Sequence, residues 1–483
     1  MRRIYHTLGI CALLIWLGLT VHQLTGADTS PSVIDLPRLA ADTLPEESWA
    51  GIYFNNRKIG YSHTTRTPLQ NGFRFQEEMV VDLTVMQVPQ RIHTTMATVT
   101  DYDGTLSVLN YRLRSGVISF SLYGTRQEDQ LSLAIKAGGR RTRTTVTVPA
   151  GVLSGPALRW RIAGAAAAKR DRSCIIFDPV TMHTRTLELR YDGRETLSIA
   201  GRDIICARIV TDYQGVPVRT WVGPDGAIVR EESPLGFVMQ RETEAQARSV
   251  PAGEGPDIAR SMSIPIDRAF APIGLRQIRL RLGGIDPAQF QLDGGRQSID
   301  DGLLLITAEP ESGITDYQRP CSLARFAPHL TAELFLPVGD PALKAVVTEA
   351  VRPDDRARAA VRKLTHWVYA AIDKTPTMSV PDALQVLDTR QGDCNEHAVL
   401  LTALCRTAGV PARMCAGLVY LDGRFYYHAW VEVWLGRWVP TDPTTDQFPA
   451  DLTHIRFVHG DLDSQATLLR LIGTLTIEII DLQ

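Results

Sequence analysis

"RQGDCNEHAVLLTALCRTAGVPAR", residues 390–413, reads as one helix with both ends marked. Asp393 is a good N-cap residue and Glu396 stands three positions later, the spacing of a capping box, which makes Cys394 the first helical residue. Leu401, Leu404, Cys405 and Ala408 form an apolar stripe at helical spacing, and Gly409 with Pro411 stops the helix. A thiol at Cys394 meets unpaired backbone N–H groups and the positive end of the helix dipole, which favour the thiolate. Asp393 and Glu396 work against that effect. A reactive Cys394 therefore needs a second activator, and a histidine supplies one by forming a thiolate–imidazolium pair.

Downstream, "ARMCAGLVYLDG" (412–423), "RFYYHAWVEVWLG" (424–436) and "RWVPTDP" (437–443) read as strands, with Asp422-Gly423 as a tight turn and Gly436 closing the second. His428 is the candidate base. Asp442, 14 positions further on, lies across the Leu435–Arg437 turn, where antiparallel pairing would set it beside His428 to fix the ring's tautomer. His454 and His459 compete as bases but lack an evident orienting acid in a strand-turn-strand frame. Cys405 and Cys415 read as apolar filler, and His397 as packing beside the site. A zinc site from Cys394, His397 and Cys405 or Cys415 is disfavoured, because no paired CxxC or HxxxH spacing accompanies it. Trp430, Trp434 and Trp438 read as sheet packing, Glu432 as a solvent-facing charge, and Arg413 as half of an ion pair.

Upstream, Leu343, Val346, Val347 and Ala350, then Val361, Leu364 and Val368, recur at helical spacing. Helices followed by antiparallel strands make an α+β domain. On these residues, GDCxExAxLLxALxRxxGVPAR, then HAWVEVWxGRW, then DPT, the chain resembles the transglutaminase-like superfamily and its papain-like core. The resemblance spans roughly residues 340 to 450 and is nearer to bacterial members, since Asp393 stands where the animal enzymes carry Gln. It implies Cys394 as nucleophile, His428 as general base and acid, and Asp442 as orienting carboxylate. It also implies acyl transfer from a peptide or side-chain amide through a thioester, as peptidase, amidase or transamidase, with no cofactor or metal. The backbone N–H of Cys394 is the natural first oxyanion donor; the Trp367 N–H or the Tyr369 O–H is a candidate second, though both residues read first as core aromatics. The reading from another class is a non-catalytic envelope binding module with a vestigial triad.

The rest of the chain frames this domain. The 483 residues suggest roughly three packing units. A hydrophobic fraction of 44% and a net charge of −2 fit a globular chain and give no global signal for nucleic acid. Residues 1–27 read as a signal peptide or N-terminal membrane anchor: Arg2 and Arg3 precede an apolar run, Leu8–Val21, of 14 residues, short of the ~20 of a spanning helix. The expected location is exported, periplasmic or anchored to the inner membrane, with peptide material as substrate and envelope proteins or glycans as possible β-domain partners.

From 45 to 248, alternating runs such as "FRFQEEMVVDLTVM" and "HTRTLELRYDG" predict a mostly antiparallel β domain. Asn55-Asn56, Asp103-Gly104, Asp192-Gly193 and Asp225-Gly226 are candidate hairpin turns. The Pro- and Gly-rich stretch 247–260 is the expected linker, 262–335 a small β unit or apron, 336–460 the catalytic domain, and 461–483 a tail packing on the core. No internal repeat is evident. Of seven cysteines, Cys11 lies in the leader, and Cys174 with Cys206 is the first pair to expect as a disulfide.

Overall fold

The computed structural model describes residues 47–483 apart from 117, 138–139, 200, 214, 252–254, 310–312, 378–379 and 461. The leader reading and Cys11 lie outside the described residues. Among those residues, no helix is long and apolar enough to cross a membrane.

Residues 47–242 form one 14-stranded antiparallel sheet. Its strands alternate as the sequence predicts: Gln130–Ala137, for example, points Leu131, Leu133 and Ile135 inward and exposes the residues between. Asn55 and Asn56 both take positive φ, 47° and 65°, to turn Glu47–Phe54 into Arg57–Leu69. Asp192-Gly193 behaves otherwise. The strand Thr184–Ile199 runs through it, and the register slips between Tyr191 and Arg194, so Gly193 serves a bulge and no hairpin. The helix Gly155–Ala168 packs on both Gly72–Val85 and the strands between Arg172 and Val222, which lie far apart in the sheet order. Arg159 on that helix reaches Glu77 and Glu231 from opposite sides. A sheet that touches one helix with both halves must curl around it.

The expected Cys174–Cys206 disulfide is absent, and no disulfide forms among the six described cysteines. The strand order explains this. Thr184–Ile199 lies between the two cysteine-bearing strands, and two strand spacings of about 4.8 Å each exceed the Cα separation a disulfide spans.

The chain then leaves the large sheet, though not freely: Asp257 in the 247–260 stretch accepts backbone N–H bonds from Met86 and Gln87. Gln277–Gly283, Gln297–Asp300 and Leu303–Thr307 form a second sheet, which the C-terminal strand Thr476–Leu482 completes by pairing with Gln277–Gly283. Helices Pro341–Ala350, Ala357–Ala371, Ala383–Thr389 and Cys394–Thr407 come next. The short third one carries no predicted period. They pack on a sheet ordered Ile264–Pro265, Arg424–Trp434, Ala412–Leu421, Ile455–His459, with Trp438–Thr441 beside Arg424–Trp434. A long antiparallel β region followed by an α+β module is the architecture the sequence predicts.

Candidate active site

The helix Cys394–Thr407 is buried along nearly its whole length, and Leu400, Leu401 and Leu404 are inaccessible to solvent. Each such leucine contributes about 1.5–3 kcal/mol through burial, so the packing that fixes the helix also fixes its first residue. The cap forms as expected. Asp393 accepts the Asn395 N–H at 2.8 Å, and Glu396 Oε2 accepts the Asp393 N–H at 3.0 Å. Both acids are thus engaged in holding the helix entrance, with Cys394 at its first position.

The helix packs across Arg424–Trp434, and Cys394 shares an apolar cluster with Ala429, the neighbour of His428. Thr441 pairs with Val431, which carries the chain into Asp442 one step past the ladder. There Asp442 Oδ2 accepts His428 Nε2–H at 3.0 Å. Asp442 is itself held by the Thr444 N–H at 2.8 Å and the Thr445 hydroxyl at 2.6 Å. The Asp442 bond places the proton of neutral His428 on Nε2, leaving Nδ1 with a lone pair; that nitrogen is buried and has no hydrogen-bond partner among the described residues. The structure therefore joins His428 to Asp442 and sets Cys394 on the helix packed against the strand that carries His428. Cys394, His428 and Asp442 are each 0% exposed.

Burial would raise the Asp442 pKa, but the charge and hydrogen bond of His428, with those of His454, hold it well below the usual carboxylate range. Burial lowers His397 to about 4; its Nδ1 bonds the Asp393 carbonyl. Among the other thiols, burial pushes Cys174 and Cys405 up to about 12 and Cys415 well above its ordinary value, which disfavours their thiolates.

Two sequence readings change. Glu432 is buried, not solvent-facing: Arg413 forks onto its Oε2 at 2.9 and 2.6 Å, and Arg456 meets Oε1 at 3.0 Å. His454, set aside for want of an acid, has two, Asp442 and Asp451. His459 bonds no carboxylate through its ring among the described residues, and burial holds it down at about 4. Trp430 packs against both His428 and His454, while Trp434 and Trp438 pack with Phe326. Trp367 is only half-buried, and its indole N–H faces Glu349 at 3.4 Å.

A zinc site shared by Cys394 and Cys405 does not fit, since eleven residues of helix separate them by about 16 Å. Among the described residues the one group whose donor atoms could meet a metal is His428, Asp442 and His454, all within 4.8 Å. The hydrogen bonds through Asp442 Oδ2 already account for that closeness.

A helix that begins at a cysteine thus packs on an antiparallel sheet that carries a buried His–Asp pair. Residues 344–443 match the family model of the transglutaminase-like superfamily, and the chain carries a domain of that superfamily there. It is 28% identical over 144 residues to an uncharacterized protein of Mycobacterium leprae, covering 27% of this chain and 50% of that one. It is 31% identical over 128 residues to a protein-glutamine gamma-glutamyltransferase of Pseudomonas aeruginosa, covering 23% of this chain and 19% of the relative. The chain thus spans half or less of the curated relatives it matches. Among solved structures, a candidate cysteine protease from Cytophaga hutchinsonii aligns at 15% identity with a TM-score of 0.27, over 43% of this chain and 86% of that one. A β-barrel-like protein of unknown function from Brucella abortus aligns at 8% identity with a TM-score of 0.32, over 41% of this chain and 94% of that one.

Proposed function

We propose that this chain is a thiol acyl-transfer enzyme in which Cys394, His428 and Asp442 act as nucleophile, base and orienting acid. The observation that carries the reading is the buried His428–Asp442 bond beside a helix that starts at Cys394. His428 Nδ1 takes the thiol proton as sulfur attacks an amide carbonyl, with the Cys394 N–H at the helix start as oxyanion donor. Collapse of the tetrahedral adduct breaks the C–N bond, the departing amine or ammonia takes the proton from His428, and a thioester remains. Water or an amine then attacks, gives its proton to His428, and releases Cys394.

Peptide or protein amides are the proposed substrates, a glutamine side chain among them by likeness to the Pseudomonas relative. The leader reading supports an exported chain, periplasmic or tethered at the inner membrane, with the β region free to engage envelope proteins or glycans. The complete burial of all three residues favours keeping a second reading, a non-catalytic envelope module. Incubation with glutamine-containing peptides and a tagged primary amine separates the two. The enzyme reading expects a peptide acyl adduct on Cys394 by intact mass, with tagged products or new termini, all lost in Cys394→Ala. If no adduct and no product form with any peptide, the non-catalytic reading stands.

A further inference from the structure

Asp442 does not hold His428 alone. Its Oδ2 also accepts from His454 Nε2 at 3.2 Å, while His454 Nδ1 faces Asp451 Oδ1 at 3.2 Å. Ionised carboxylate oxygens only accept, so satisfying both contacts requires hydrogen on both ring nitrogens. We propose that His454 is a positioning residue of this site: an imidazolium clamped between Asp442 and Asp451 that fixes the Asp442 carboxylate against His428 and offsets part of its charge. The inference rests on the Cys394–His428–Asp442 reading and goes beyond it, because residue 454 falls outside the 344–443 stretch that the family covers.

The surroundings are built to hold this ring. His454 is 1% exposed, and the Trp430 ring meets it edge-on at 5.3 Å. Arg296, reaching in from the neighbouring sheet, donates to the carbonyls of Ala450, Asp451 and His454 at 2.6, 2.6 and 3.2 Å, which pins the loop on which both residues sit. Asp451 is fixed in turn by the Thr453 N–H and hydroxyl and by Gln447. The charged and titratable groups facing His454 are therefore Asp442 and Asp451 directly, His428 at 5.7 Å between ring centres, and Arg296 on the backbone side; Lys374 lies near Asp442. Burial alone would lower the His454 pKa, but the bonds and charges of Asp442 and Asp451 outweigh it and raise it to about 9.

The functional consequence follows from charge. An Asp442 carboxylate with no cation behind it would pull a proton onto His428 more strongly. A loose one would let the ring turn Nδ1 away from its reacting position. A fixed imidazolium behind Asp442 opposes both effects. Removing that charge leaves the Asp442 carboxylate unscreened and more negative, so the pH window in which Cys394 reacts should move upward at both limbs.

The test has two independent readouts. Nitrogen-15 NMR of the histidine rings, run on the full chain and on Cys394→Ala, should show one ring with both nitrogens protonated beyond pH 8, its signal missing in His454→Gln. A His454 ring that is neutral at pH 7 would overturn the proposal. The second readout is the pH profile of Cys394 alkylation. His454→Gln should shift both limbs upward, and His454→Ala should cut the maximal rate by about tenfold or more, the usual size of loss when a supporting hydrogen bond is removed. Should either variant fail to fold, Asp451→Asn, which keeps an acceptor oxygen but drops the charge, should lower the His454 pKa in the NMR titration. Profiles unchanged in folded variants would overturn the proposal. If Cys394 shows no selective chemistry in any form, the acyl-transfer reading fails, while NMR still decides the state of His454.

Discussion

The 14-stranded sheet and the transglutaminase-like module handle charge in opposite ways. Between residues 47 and 242, the buried charged or histidine side chains among the described residues are Arg66, Glu77, Asp178 and Arg185. Between 341 and 460, a stretch little more than half as long, they are Asp382, Asp393, Glu396, His397, Arg406, His428, Glu432, Asp442, His454 and Arg456. A buried charge costs several kcal/mol unless it is paired, so such groups persist where partners surround them or chemistry uses them. The sheet is built chiefly on apolar alternation, and the module on a polar interior in which position matters.

Substitutions can break or sharpen this contrast. The largest expected effect is total: Cys394→Ala abolishes any acyl adduct, read by intact mass after incubation with peptide substrate. Next, Glu432→Ala removes the carboxylate shared by half-buried Arg413 and buried Arg456, leaving Arg456 with backbone carbonyls only, and the expected loss is about 3–5 kcal/mol in denaturant unfolding. Its counterpart in the sheet is the partly exposed Arg208–Glu195 pair, where Arg208→Ala should cost no more than about 1 kcal/mol. Equal losses at the two sites would erase the contrast.

A pH effect of intermediate size belongs to His454. Its folded pKa, about 9, lies above the ordinary 6.5, so its contribution is fully present below pH 6.5 and disappears as pH rises through about 9. The Tm of the protein should fall over that window, and His454→Gln should flatten the fall. Asp442 has the opposite sign: its depressed pKa stabilises the fold above the ordinary carboxylate range, and that support is lost as acid protonates it.

How much was legible beforehand depended on the distance over which a signal acts. The capping box, the stop at Gly409-Pro411, the strand turn at Asp422-Gly423 and the His428–Asp442 approach are all set within a few residues or across one hairpin, and each can be read from spacing. Glu432 could be assigned to the face of Trp430 and Trp434 by parity, but parity does not say what covers that face. Its second arginine, Arg456, comes from a strand 24 residues away. His454 is only partly hidden for that reason: Asp451 stands three residues before it, but the contact with Asp442 forms only where the 450–454 loop, pinned by Arg296 from far upstream, folds back onto that carboxylate. Asp192-Gly193 carried the residues of a turn, and the longer run of pairing around it made a bulge instead.

The central claim, that His428 activates Cys394, is tested most directly by the rate at which a small alkylating agent labels Cys394 in the native protein and in His428→Ala across pH. Because the thiol is buried, labelling under denaturing conditions and amide exchange of the Cys394–Thr407 helix in both proteins separate a change in access from a change in activation. The account predicts a window of fast labelling near neutral pH that falls by about a hundredfold in the variant, within the 10²–10⁴-fold range typical of a positioned acid–base partner. Equal rates in the two proteins, or a Cys394 that labels no faster than the half-buried Cys321, would contradict it.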